Sequence, residues 1–369
     1  MKRFPYLLPA LLLLVTEPAL AAFPLENASG VPSVAPILKE VTPGVVNIAV
    51  RGRVQVNNPL LADPFFRRFL NIPNGPVVRE TQASGSGVIV DAANGYVLTN
   101  NHVVKNADVI EVTLRDKRRL KAKLVGTDPA TDVAVLKIQA ENLVAVPFGD
   151  SDKSEVGDFV LAIGNPFGLG QTVTSGIVSA VGRSGLGIEG YEDLIQTDAP
   201  INPGNSGGAL VDLKGRLIGI NTAILSPSGG NVGIGFAVPI NMARTVMDQI
   251  IKTGHIERGW IGVSGQDLTP DMMAGLRTRH NEGALIASIQ PGSPADRAGL
   301  EAGDLVLDVD GNPVASWQQL LNRIALARVS QTLSLTVERQ GDTRTLDVKV
   351  APQRGRNGAG SPFQDDDEQ

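Results

Sequence analysis

From Val45 onward the chain is written in short apolar runs broken by Gly, Asn and Asp. Val45–Val50, Gly87–Val90, Tyr96–Thr99, Val109–Leu114, Val133–Ile138, Phe159–Ile163, Leu210–Val211, Leu217–Ile220 and Ile234–Val238 are rich in β-branched residues and bounded by turn formers, the pattern of strands. No helix-period segment separates them. An antiparallel barrel or sandwich is therefore predicted, rather than βαβ units. The rhythm breaks between Val56 and Gln82, which carry Pro59, Pro64, Pro73, Pro76 and the patch Phe65-Phe66-Arg67-Arg68-Phe69. A loop this long is functional or disordered, either a mobile insertion or a regulatory or oligomer-contact loop. Ile240–Lys252 places Ile240, Ala243, Val246, Met247, Ile250 and Ile251 at helical spacing, with Gly254 to end the helix. A domain boundary is expected at 253–258. Beyond it, strands are predicted at Trp260–Val263, Ala284–Ile289, Leu305–Val309, Gln331–Glu338 and Thr343–Val350, and a helix at Trp317–Ala327. Gln340-Gly341-Asp342 reads as the turn of the last hairpin. The tail 353–369 is rich in Gly and Pro, ends in Asp365-Asp366-Asp367-Glu368-Gln369, and is expected to be a solvated, disordered extension.

Composition narrows this picture. The 369 residues suffice for two domains of ordinary size. The chain holds 41 glycines, where ordinary usage predicts roughly 26, which fits a turn-rich β protein. Cysteine is absent, which excludes disulfide scaffolds, thiol nucleophiles and thiolate-ligated zinc or iron–sulfur centres. A formal net charge of −5 and few aromatics give no footprint for nucleic acid. At the N-terminus, Lys2 and Arg3 precede the apolar run Leu7–Val15, and Ala19-Leu20-Ala21 offers small residues where a signal peptidase reads. That order predicts a cleaved secretory signal over 1–21, followed by a loosely ordered segment over 22–35. The run is far short of the ~20 residues that span a bilayer, so a membrane span is not expected.

Gly204-Asn205-Ser206-Gly207-Gly208 is the strongest signal for chemistry. A serine hydroxyl is a poor nucleophile unless a base takes its proton and N–H donors hold the oxyanion that forms. Glycines around it let amides converge. The N–H groups of Gly204 and Ser206 are the expected donors, with that of Asn205 beside them. An ordinary glycine turn has the same composition, so the partners decide. Of three histidines, His255 lies in the linker and His280 in a polar stretch, and both read as solvated. His102 ends the strand-like Leu98-Thr99-Asn100-Asn101. Asp132 opens an apolar strand, where an unpaired carboxylate is costly. Asp128 precedes Pro129 and reads as turn chemistry. Gly204-x-Ser206-x-Gly208 also fits the nucleophile elbow of α/β-hydrolases, but an elbow needs a helix after the serine and a histidine later in the chain. Here strand, Lys214-Gly215 turn and strand follow. The order His102, Asp132, Ser206 is that of chymotrypsin-type double barrels.

Three blocks, Thr99-Asn100-Asn101-His102-Val103-Val104, Asp128-Pro129-x-Thr131-Asp132-Val133-Ala134 and Gly204-Asn205-Ser206-Gly207-Gly208-Ala209-Leu210, together resemble the catalytic blocks of the HtrA/Deg serine endoproteases of the bacterial periplasm. The resemblance runs from about 36 to 351. It implies a mainly β chain: a chymotrypsin-like double β-barrel protease domain over 36–252, a linker over 253–258 and one PDZ domain over 259–352. It further implies an ATP-independent endopeptidase of envelope quality control under stress. No cofactor or metal is expected. The implied partners are unfolded or mislocalised proteins and their C-terminal peptides, and the implied assembly is a homotrimer able to build larger cages. The substrate pocket is placed at Ile201 and Leu225, with cleavage after small aliphatic residues. Thr222 is placed to hydrogen-bond Asp132, and Asn221–Ile224 to offer an open strand edge to substrate. In the PDZ unit, Trp260, Ile261, Gly262 and Val263 match the carboxylate-binding loop and its edge strand, and Gly292-Ser293-Pro294-Ala295-Asp296-Arg297-Ala298-Gly299-Leu300 with Gly303-Asp304 matches the central signature. Arg183, in the glycine-rich loop between Val181 and Tyr191, is the implied carrier of a signal from an occupied PDZ domain to the oxyanion loop. The chain departs from larger members in carrying a single PDZ domain, and from the anchored single-PDZ form in its cleavable-looking leader.

Overall fold

A computed structural model describes residues 33–55, 78–166, 170–186, 190–224, 232–276 and 278–353. The expected leader, the segment 22–32, most of the proline-rich insertion, Leu225 and the acidic tail lie outside these residues. A short helix, α1 (Ala35–Val41), comes first and was not foreseen. Six strands then close into a barrel: β1 (Val45–Gln55), β2 (Val78–Asp91), β3 (Tyr96–Asn100), β4 (Ala107–Thr113), β5 (Arg119–Asp128) and β6 (Val133–Lys137), in the order β1-β2-β3-β6-β5-β4. A four-residue helix, α2 (Asn101–Val104), follows β3. The end of the expected insertion, from Val78, belongs to β2. Six more strands form a second closed barrel: β7 (Phe159–Gly164), β8 (Thr172–Arg183), β9 (Leu194–Thr197), β10 (Ala209–Asp212), β11 (Leu217–Ile224) and β12 (Gly235–Pro239).

The strand pattern follows from two cores. Val46, Ile48, Val97 and Leu136 fill the first barrel. Val160, Ala162, Leu210 and Ala237 fill the second. The alternate residues of the same strands, Val45, Leu98, Val133 and Val135 from one barrel and Leu161, Ile163, Ala209 and Phe236 from the other, meet in a shared core. Strands buried on both faces read as continuous apolar runs instead of alternating ones. The helix α3 (Ile240–Thr253) lays Ile240, Ala243, Val246 and Ile250 on that shared core. It ends at Gly254, whose φ of 78° and N–H bond to the Ile250 carbonyl form a left-handed cap.

The remaining unit pairs β13 (Gly259–Trp260) with β20 (Ala351–Pro352). Its main sheet runs β14 (Val263–Asp267), β15 (Ala284–Ile289), β16 (Leu305–Val309), β18 (Thr332–Arg339) and β19 (Asp342–Lys349), with β17 (Asn312–Pro313) against β16. Three helices complete it: α4 (Pro270–Leu276), α5 (Pro294–Arg297) and α6 (Trp317–Leu326). Ser316 caps α6 by accepting from the Gln319 N–H. Between β18 and β19, Gln340 and Gly341 both have positive φ, the I′ geometry that matches strand twist. The single strand expected at Trp260–Val263 is instead two, broken at Gly262. There φ is 83°, and a Cβ would come within 2.3 Å of the Ser293 Cβ.

The helix α6 docks on the second barrel. Asn322 donates from Nδ2 to the Glu192 carbonyl at 2.7 Å, and Gln319 Nε2 donates to Asp193 Oδ1 at 3.3 Å. Burial pushes the Asp193 carboxyl up from 3.8 to about 6. A carboxyl whose pKa is higher in the folded chain favours the fold most when protonated. Gln319 and Arg323 of α6 pull the other way without cancelling the shift, so this carboxyl's contribution to the fold is full below about pH 4 and is lost as pH rises through about 6. Amide exchange in α6, corrected for intrinsic rates, should be slower at pH 4.5 than at pH 7. Asp193→Asn should remove the difference, and a wild type equally protected at both would refute this.

Candidate active site

Residues of both barrels meet where the first barrel's His102 and Asp132 approach the second barrel's Ser206 and Thr222. His102 stands in α2, at the end of β3. Asp132 is the last residue before β6, with a φ of 52° that side chains other than glycine rarely adopt. Its side chain is buried. Oδ1 accepts from the His102 main-chain N–H at 2.9 Å, and Oδ2 bonds His102 Nδ1 at 2.7 Å. The Thr222 hydroxyl donates to the same Oδ2 at 2.7 Å. Thr222, on β11, also reaches the serine, since Ser206 Oγ donates to the Thr222 carbonyl at 3.0 Å. One threonine thus ties the aspartate of the first barrel to the serine of the second.

Ser206 lies in the turn before β10. The N–H groups of Gly204 and Ser206 donate to no group among the described residues, which leaves both available at the site. The expectation for Asn205 is corrected. Its N–H donates to the Asn202 carbonyl at 2.9 Å, closing a turn that aims it away from this role. Ser86, which the sequence reading missed, holds the whole loop. Its N–H donates to the Ser206 carbonyl at 2.8 Å, its hydroxyl donates to the Gly204 carbonyl at 2.6 Å, and its Oγ accepts from the Asn165 N–H at 2.8 Å. The signal available for it was Ser84-Gly85-Ser86-Gly87, glycines where a second backbone approaches β2. A Cβ at Gly85 would lie 2.8 Å from the Val103 side chain and 3.2 Å from the Ser206 carbonyl.

Ile201 is buried, and its side chain covers Gly235 on β12, where a Cβ would meet Ile201 Cδ1 at 2.9 Å. The edge expected at Asn221–Ile224 is only partly open. β12 pairs with it on one side, and on the other Gly207 N–H donates to the Asn221 carbonyl and Asn221 N–H to the Gly208 carbonyl. Arg183 donates to Gln196 Oε1 at 2.9 Å, within its own barrel. In the third unit Ile261 is buried, and its carbonyl accepts from Ala295 N–H. Gly262 turns the chain into β14, which lies at the margin of its sheet. Trp260 pairs with Ala351. His255 and His280 approach Glu257 and Glu338, far along the chain from the site residues. Among the described residues no group of three or more His, Cys, Asp or Glu could hold a metal ion.

Two closed six-stranded barrels with a serine, a histidine and a buried aspartate at their junction define a trypsin-like serine peptidase, here joined to a PDZ domain. The sequence matches the trypsin-like peptidase domain over residues 85–220 and the PDZ domain over 259–350. It is 46% identical over 347 residues to the periplasmic serine endoprotease DegP of Salmonella typhimurium, covering 88% of this chain and 73% of that one. It is 45% identical over 361 residues to the periplasmic pH-dependent serine endoprotease DegQ of Escherichia coli, covering 95% and 78%. Solved structures of the HtrA-type protease AlgW, with a tripeptide and with a decapeptide, align with TM-scores of 0.66 and 0.61 at 44% and 48% identity. They cover 89% and 88% of this chain and 99% of theirs. The chain belongs to the HtrA-type DegP/DegQ family of serine endoproteases and is a serine endopeptidase. Its relatives are periplasmic, and no helix among its described residues is long and apolar enough to cross a membrane.

Proposed function

We propose that this endopeptidase cleaves unfolded or mislocalised envelope proteins without ATP. In this reading Ser206 is the nucleophile, His102 the general base and Asp132 its orienting partner. The observation that carries it is the Asp132 carboxylate accepting from both His102 Nδ1 and Thr222 while the Ser206 hydroxyl rests on the Thr222 carbonyl. A proton on Nδ1 makes Nε2 the nitrogen that accepts the serine proton. Rotation about the Ser206 Cα–Cβ bond moves that proton from the Thr222 carbonyl towards His102. The oxygen then attacks the scissile carbonyl. The Gly204 and Ser206 N–H groups receive the oxyanion. His102 returns the proton to the leaving amine, and water completes the second half by the same steps in reverse.

The residue before the cut is small and aliphatic, as the family resemblance implies for a pocket assigned to Ile201 and Leu225. The Ile261–Gly262 loop and the free margin of β14 receive the C-terminal residues of a partner peptide, which adds to β14 as a strand. The protein acts in the periplasm after removal of its leader, as a homotrimer or an assembly of trimers. The test is a fluorophosphonate probe. Labelling should map to Ser206 alone, and cleavage of denatured casein should fall in proportion to labelling. Casein cleavage that survives complete labelling would reject the assignment.

A further inference from the structure

We infer that Arg258, the last residue before the PDZ unit, is a positioning residue for the reaction, holding the turn from Asp128 to Asp132 in the shape that sets the Asp132 carboxylate against His102. The inference rests on the roles proposed above for His102 and Asp132. The turn needs holding. Asp132 sits at a φ of 52°, a conformation that persists in a non-glycine residue only where the surroundings enforce it. Enforcement from the His102 side is plain. On the other side, the residue preceding Asp132 is tied down through Asp128. The Thr131 hydroxyl donates to Asp128 Oδ2 at 2.6 Å, and Arg258 Nη2 donates to the same oxygen at 2.5 Å. This is no surface pair, because the two side chains are only 13% and 8% exposed.

The guanidinium carbon lies over the Tyr191 ring, 4.4 Å from its centre. Tyr191 N–H in turn donates to the Ala130 carbonyl at 2.8 Å, in the middle of the same turn. Arg258 therefore holds the turn at two points, directly by charge at Asp128 and through the Tyr191 ring at Ala130. Its Nη1 is buried with no partner among the described residues, so Asp128 and the ring alone fix the fork. The main chain of Arg258 is itself anchored, since its carbonyl accepts from Gln353 N–H beside the β13–β20 pair. Without the guanidinium the buried Asp128 carboxylate has no counter-charge. It must turn towards water, and that movement releases Thr131.

The test is steady-state kinetics of the full chain on a short peptide substrate across pH, with active sites counted by fluorophosphonate labelling. Arg258→Ala should lower kcat per active site by roughly 10–100-fold, the scale of a misplacement of about 1 Å, with KM within about twofold. The acid limb of kcat/KM should move to lower pH, because an imidazole that loses its carboxylate neighbour holds its proton less tightly. Arg258→Lys should recover only part of kcat, since an ammonium neither forks nor stacks as a guanidinium does. Wild-type kcat per labelled site with an unmoved acid limb would overturn the inference and leave Arg258 a structural residue. If the alanine variant does not fold, Arg258→Gln decides on the same readouts. Wild-type protein that takes up no probe at Ser206 would overturn the reading of the site and this inference with it.

Discussion

Asparagine at position 132 is expected to lower kcat by roughly 10⁴-fold with little change in KM. The size of the effect follows from which oxygen the new amide group replaces. Oδ1 faces the main-chain N–H of His102, a donor that cannot turn. Oδ2 faces the Thr222 hydroxyl, which can rotate, and His102 Nδ1, which can change tautomer. An asparagine will therefore keep its carbonyl oxygen where Oδ1 was and put its NH₂ where Oδ2 was. That NH₂ donates to the lone pair of Nδ1 and moves the imidazole proton to Nε2, the nitrogen that must accept from Ser206. The base is then filled before the reaction begins. Asparagine tolerates the left-handed φ of this position, so the variant should fold and still bind substrate. Peptide cleavage by Asp132→Asn above a tenth of the wild-type rate would contradict the assignment.

Gly207→Ala should be the most damaging single methyl in the loop that carries the serine. Gly207 has a φ of 82°, and a Cβ there would lie 2.2 Å from the Ser86 carbonyl oxygen and 2.3 Å from Thr99 Oγ1. Neither atom can yield. The Thr99 hydroxyl donates to that same carbonyl at 2.7 Å, and both residues are fully buried. Left-handed strain of about 1–3 kcal/mol adds to an overpacking cost of about 1–3 kcal/mol. The barrels would have to part at the point where Ser86 grips the serine loop. We expect a loss of about 2–6 kcal/mol in denaturant unfolding, or no soluble protein. A variant within 1 kcal/mol of wild type would mean that the two loops approach less closely than the structure has them.

Legibility in the sequence followed burial. β3, β6 and β7 are apolar on both faces and stand out as runs of Val, Ile and Leu. β5 and β8 escaped notice because most of their side chains are exposed or half-buried, and β9 because Leu194-Ile195 is too short a run before Gln196. Pairing with neighbours, which no local pattern reveals, makes them strands. At the site, side chains with a distinctive chemistry could be read from the chain, and main-chain contacts could not. Ser86 acts through its N–H and one hydroxyl in a stretch of small residues that could serve any turn. Asn205 looked like a donor because of its neighbours, yet its amide was already spent in a local turn. Asp128 reads from sequence as turn chemistry, and it does accept from Thr131, but nothing nearby in the chain announces an arginine 130 positions later.

The histidine and aspartate stand on the first barrel, and the serine and the threonine that links them stand on the second. Neither half holds a working set. On the roles proposed for these residues, a chain still folding, or one partly unravelled by heat, is chemically silent until both barrels have closed and met. Competence to cut is thereby reserved for finished molecules, and a half-made copy cannot attack its neighbours while they, too, are still unfolded.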